Sequence, residues 1–128
     1  MSAMSDYLEN EILDHVLSTG AYTMPSTIYV GLSTGSFGDD DSGTELSGSG
    51  YTRQSITFAA ASSASAASSA TVTFPTATGS WGSVSHYGIY DASTSGNLLI
   101  HGAFSAAKTI GSGDVLRINS GDLTVTAA

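Results

Sequence analysis

Pro25-Ser26-Thr27-Ile28-Tyr29-Val30-Gly31-Leu32-Ser33 is the stretch whose reading decides the fold class. Ile28, Val30 and Leu32 alternate with Tyr29, Gly31 and Ser33. A period of two puts one set of side chains in a core and turns the other away from it, so the segment after Pro25 reads as a half-buried strand. The same alternation returns around Tyr51, Arg53 and Ser55, with Ile56 and Phe58 on the opposite face, and in Thr71 to Phe74, which Pro75 stops. Val84 to Tyr90 is a longer run, read with Val84, His86, Gly88 and Tyr90 on one face and Ser85, Tyr87 and Ile89 on the other. Ser95-Gly96-Asn97 supplies turn residues that tolerate φ > 0, leading into Leu98 to Phe104. Ser112-Gly113-Asp114 and Ser120-Gly121-Asp122 are near-identical turn units that flank Val115 to Ile118 and precede Leu123 to Thr126. About seven short strands, spaced roughly 8–12 residues apart with turns between them, indicate a mainly β protein, an antiparallel β-sandwich over about residues 26–128.

Ahead of the strands the period is that of a helix. Leu8, Ile12, Leu13, Val16 and Leu17 form one apolar stripe, giving one N-terminal amphipathic α-helix over about residues 6–19. Ser5 or Asp6 suits the N-cap, Asp6, Glu9 and Glu11 sit near the positive end of the helix dipole, and Gly20 suits the left-handed terminating position. The chain of 128 residues has the size of a single domain. The stripe must then be buried on the sandwich edge or on a neighbouring subunit. Leu8, Ile12, Leu13, Val16 and Leu17 are therefore the candidate assembly contact.

Composition limits the function classes. Gly, Ala, Ser and Thr make up 69 of the 128 residues, and only Arg53, Lys108 and Arg117 are cationic, against 11 carboxylates and a net charge of -8. Nucleic-acid binding needs clustered Lys and Arg, so no nucleic-acid partner is expected. The negative charge also disfavours anionic membranes, and no apolar run approaches the ~18 residues that span a bilayer, so no membrane partner is expected either. No cysteine occurs, which removes disulfides and thiolate chemistry. The N-terminal stretch does not resemble a secretion signal, and synthesis and retention in the cytoplasm are expected.

Several motifs touch on chemistry without reaching it. Gly31-Leu32-Ser33-Thr34-Gly35 matches a nucleophile-elbow pattern, but that pattern needs a helix directly after the serine, and here a Gly/Asp-rich loop follows, so it reads as a strand end. His15, His86 and His101 have Asp91 and Asp114 as conceivable partners; hydrogen-bonded sheet histidines are the commoner arrangement. Asp39-Asp40-Asp41-Ser42-Gly43-Thr44-Glu45 offers oxygens at alternate positions but lacks the later bidentate Glu of a calcium loop, so residues 36–50 read as a solvated, exposed acidic loop. Trp81 reads as a core plug ahead of a sugar platform. Residues 59–70, all Ala and Ser, read as a flexible connection, with an Ala-rich helical turn as the alternative. No catalytic residue, cofactor or metal is assigned.

Taken in order, several blocks carry a resemblance: Leu8-Glu9-Asn10 through Leu13-Asp14-His15-Val16; Pro25 through Thr34; Gly50-Tyr51-Thr52-Arg53-Gln54; Phe74-Pro75-Thr76-Ala77-Thr78-Gly79-Ser80-Trp81-Gly82; His86-Tyr87-Gly88-Ile89-Tyr90-Asp91; and the closing Gly113-Asp114 turn. The chain resembles small virion proteins of tailed bacteriophages, the tail-fibre-like and head-decoration-like β-sandwich family. The resemblance covers nearly the whole chain, and the Ala/Ser run is its unusual part. It implies a non-enzymatic structural protein located in the virion. The expected role is a capsid decoration (cement) protein, assembled as a homo-oligomer, a trimer, with the major capsid protein or tail proteins as partners. The alternatives are a tail-fibre or baseplate module that contacts the host, and a carbohydrate-binding module.

Overall fold

A computed structural model of the chain describes residues 2–127. Its first element, β1 (Ser2–Met4), pairs antiparallel with β7 (Leu98–Ile110). The helix α1 (Asp6–Val16) follows, then β2 (Ile28–Ser33), β3 (Gln54–Ile56), β4 (Ser65–Ala67), β5 (Val72–Thr73), β6 (Gly82–Tyr90), β7, β8 (Arg117–Ile118) and β9 (Thr124–Thr126). One layer is a five-stranded antiparallel sheet in the order β1-β7-β6-β2-β3, and two two-stranded ribbons, β5-β8 and β4-β9, accompany it. The architecture is the mainly β, antiparallel arrangement read from the alternation, with more strands than the sequence suggested. The core lies between the layers. Val30, Leu32, Val84, Tyr87 and Ile89 from the large sheet meet Val72, Phe74, Leu116 and Ile118 from the β5-β8 ribbon and its flanks. Trp81 closes this core as a plug: its indole N–H donates to the Ser49 carbonyl at 2.9 Å and its ring stands edge-on to Tyr51 and Phe74.

Four sequence expectations need correction. The helix ends at Val16, not residue 19, and the left-handed position just past it is taken by Ser18 (φ 64), not Gly20. Residues 59–70 are not a flexible connection. Ser62 bridges Ser65 around a tight turn in which Ser63 (φ 52) and Ala64 (φ 60) are left-handed, and Ser65–Ala67 then pairs with β9. Backbone pairing holds this hairpin where side-chain burial cannot, because alanine and serine bring little apolar area. The face assignment along Val84 to Tyr90 fails at its start: Val84 shares the main core with Tyr87 and Ile89, while Tyr90, on the other face as read, packs with Phe37 and Leu98. The cause is a break in register. Val84 pairs with Lys108 and His86 with Ala103, so two steps along β6 take five along β7. The extra residues of β7 bulge out of the ladder and shift which residues face inward.

The fourth correction concerns residues 36–50. The segment is an exposed loop over much of its length, Asp39 to Ser42 included, but it is anchored as a lid through Phe37, Glu45 and Leu46. Phe37 is buried edge-on to Tyr90 at 5.9 Å, and Leu46 joins the main core. The lid docks through a window of glycines: Gly31 and Gly88 face each other across β2 and β6. A Cβ on Gly31 would fall 2.7 Å from a Glu45 carboxylate oxygen, and one on Gly88 2.9 Å from Leu98 and 3.3 Å from Phe37. Bare backbone at both positions lets the lid side chains sit this close without shifting.

Candidate functional site

The helix stripe was the sequence-derived contact, and its residues have unequal fates. Ser5 is the N-cap: its hydroxyl accepts from the Leu8 N–H at 3.2 Å and donates to the Leu98 carbonyl. The Ser5 N–H donates to the Leu99 carbonyl at 2.8 Å, which nails the start of α1 to β7. Leu8 is thereby buried on the helix's own subunit and Ile12 is half-buried. The far end is different. Leu13, Val16 and Leu17 are 56%, 68% and 66% exposed, and Met24, on the return segment, is 81% exposed. The acids Asp6, Glu9, Glu11 and Asp14 share this helix, with no Lys or Arg on it. The helix therefore ends in an exposed apolar tip edged by carboxylates.

The acidic loop is held by donors. The Arg53 guanidinium grips Glu45 through two bonds, Nε to Oε2 at 2.9 Å and Nη2 to Oε1 at 2.8 Å. Its Nη1 donates to the carbonyls of Ala92 (3.0 Å) and Ser95 (2.7 Å), and its plane stacks 3.5 Å above the Tyr90 ring. The Tyr51 hydroxyl donates to Glu45 and accepts from the Leu32 N–H at 2.9 Å. The Tyr90 hydroxyl donates to Asp41 at 2.9 Å. Burial, reinforced by the neighbouring carboxylates of Glu45 and Asp41, pushes both phenols well above the usual tyrosine range. His101, in β7, lies 2.7 Å from Asp39, whose carbonyl accepts from the Asp6 N–H at 2.8 Å, so the lid is also tied to the helix start. Asp39, Asp41 and Glu45 thus each face a protein partner, and among the described residues no cluster of three His, Asp or Glu suited to a metal forms.

The remaining candidates resolve into structure. Ser33, the would-be nucleophile, is buried and donates to the Thr44 carbonyl at 2.6 Å, with no helix after it. His86 and His101 do lie on neighbouring strands, but His86 is bonded to Ser85 at 2.7 Å and His101 to Asp39. His15 accepts from the Tyr22 N–H at 3.2 Å. Among the described residues no buried side-chain nitrogen or oxygen is without a partner, so these polar groups are already engaged within the fold.

One feature escaped the sequence reading. Beneath the β7 bulge opens a groove of about 500 Å³, between β6–β7 and the β8–β9 segment. Tyr87, Phe104, Leu116 and Leu123 supply its apolar wall, the first two in ring contact at 5.4 Å, and Lys108 and Arg117 stand at it with Asp122. These are two of the three cations in the chain, and the third is the enclosed Arg53. No period or motif marks the groove, which lies where the register of β6 and β7 breaks between Val84 and His86.

A comparison with protein families matches residues 3–126 to the family described as podophage GP4 fiber I protein gp80. The chain belongs to this gp80 family. It is accordingly one of a family of small tailed-phage virion proteins, as the sequence blocks implied. A comparison with curated proteins gives no match. The span matched to the gp80 family includes the helix stripe, the lid and the groove alike. Among the described residues of this gp80-family chain no helix is long and apolar enough to cross a membrane.

Proposed function

We propose that the protein is a non-enzymatic structural subunit on the outside of a phage particle, acting as a capsid decoration (cement) protein in the form of a homo-oligomer, a trimer. The observation that carries this reading is the apolar helix tip, Leu13, Val16 and Leu17, each more than half exposed on a body whose buried polar side chains, among the described residues, all have partners. Covering such side chains stabilises an assembly by about 1.5–3 kcal/mol each when burial is complete. A cement protein works through repeated contacts of this kind, made by many copies with the major capsid protein and with one another.

A second reading, a fibre subunit that touches the host, is favoured by the family's own description as a fibre protein. Particles lacking the protein separate the two. A decoration role predicts particles that assemble but are inactivated by heat sooner than wild type, with normal adsorption. A fibre role predicts unchanged heat resistance and lost adsorption. Normal heat resistance together with failed adsorption would remove the decoration role.

A further inference from the structure

We propose that copies of this chain associate head to tail, with the exposed tip of α1 of one copy seated in the groove beneath the β7 bulge of the next. The inference rests on the self-association proposed above and names its two surfaces. The surfaces are distinct, since no residue of α1 lines the groove. One is an apolar knob without a hole, Leu13, Val16 and Leu17. The other is a hollow of about 500 Å³ lined by the half-buried Phe104 and by the edges of Tyr87, Leu116 and Leu123, which are otherwise buried in the core. That volume lies in the range, roughly 300–1,000 Å³, of pockets that bury a small ligand, enough for a few aliphatic side chains.

Charge selects this pairing over the alternatives. Each copy has a net charge of -8, so most encounters between copies are repulsive. A helix-on-helix contact would bring Glu9, Glu11 and Asp14 of two copies together. The groove is the one place where two cations, Lys108 and Arg117, stand against a single carboxylate, Asp122. Among the described residues neither cation has a carboxylate within ion-pair distance, since the two ion pairs found are Arg53–Glu45 and His101–Asp39. An acidic helix with an apolar tip is therefore complementary to the groove in both shape and sign. Because the two surfaces differ, the contact is heterologous, and it closes into a ring when the rotation between copies permits.

The test uses the full chain and measures mass in solution by light scattering and sedimentation. The stripe variant Leu13→Asp/Leu17→Asp keeps the groove, and the groove variant Lys108→Glu/Arg117→Glu keeps the stripe. All four positions are exposed, and unchanged melting curves verify the folds. The wild type is expected to be an oligomer and each variant alone a monomer, with self-association weakened at least 100-fold. Mixing the two variants is expected to give a 1:1 heterodimer, because one intact knob then meets one intact groove. Adding Glu11→Lys/Asp14→Lys to the groove variant is expected to restore assembly. The milder Lys108→Gln/Arg117→Gln pair, expected to weaken association less, provides a second reading should charge reversal perturb folding. A groove variant that keeps the wild-type mass, or a mixture without heterodimer, overturns this contact while leaving self-association through another surface standing. A wild type that is monomeric at all concentrations overturns both.

Discussion

At the scale of single residues, Arg53 joins the greatest number of separate segments. It brings together Glu45 in the lid, the Ala92 and Ser95 carbonyls between β6 and β7, and the Tyr90 ring. The side chains of Arg53 and Glu45 are only 8% and 22% exposed, so truncating Arg53 leaves a largely desolvated carboxylate with the Tyr51 hydroxyl but no cation beside it. Arg53→Ala is expected to cost about 3–5 kcal/mol, read as an earlier urea midpoint. Arg53→Lys is expected to recover little of this, since a lysine cannot reproduce the two-pronged grip or the stacking. Tyr51 gives a pH signature. Its phenol is held protonated in the folded state above the pH, about 10, at which it ionises in the unfolded chain. Its contribution is therefore fully present below pH 10 and is lost as pH rises toward the folded value, by about 1.4 kcal/mol per pH unit. Tyr90 acts in the same direction. Urea midpoints between about pH 9 and 12 should fall steeply for the wild type and less steeply for Tyr51→Phe. Equal slopes would show that Tyr51 ionises normally.

At the scale of elements, the sequence disclosed what side-chain burial enforces and concealed what backbone pairing enforces. Ile28 to Ser33 shows its alternation because Val30 and Leu32 are buried, and Ser5, one of the two N-cap candidates, caps α1. Ser2–Met4 and Ser65–Ala67 carry no such mark; each is a strand only because a partner strand lies beside it. The assembly stripe was half-legible. Its periodicity gave the apolar face, but nothing local separates Leu8, which is buried, from Leu17, which is exposed. The groove was not legible at all, since it depends on how β6 and β7 slip past one another. The hairpin before β4 offers a direct check. Ser63 and Ala64 occupy left-handed positions that Asn-Gly prefers, so Ser63→Asn/Ala64→Gly is expected to raise stability by about 0.5–1 kcal/mol, seen as a higher melting midpoint. A lower midpoint would mean that the turn differs in solution. The lid offers another. With Asp39, Asp41 and Glu45 engaged by His101, Tyr90 and Arg53, adding calcium or a chelator is expected to leave the melting midpoint where it was. A saturable rise abolished by Asp41→Ala would show that the ion displaces these partners.

At the scale of the whole molecule, cations are so few that they map its accessibility. Trypsin has only Arg53, Lys108 and Arg117 to cut after, and the first is enclosed by Glu45 and Tyr90. Limited digestion of the folded chain is expected to begin after Lys108 or Arg117, with mass spectrometry giving the order, and initial cleavage after Arg53 would mean that the lid opens readily. The two ends of the described chain meet in one place: the Thr126 N–H donates to the Ser2 hydroxyl at 2.9 Å, and β1 and β9 lie side by side. That clasp has a mechanical consequence. β1 holds the sheet edge through three antiparallel residue pairs, Ser2 to Met4, and a pull applied at that end would peel them in succession, like a zipper, instead of shearing them together. A load hung from either terminus would therefore open the clasp before it reached the buried sheet of β2, β6 and β7, whereas the same load borne through the middle of the molecule would be shared across the whole ladder at once.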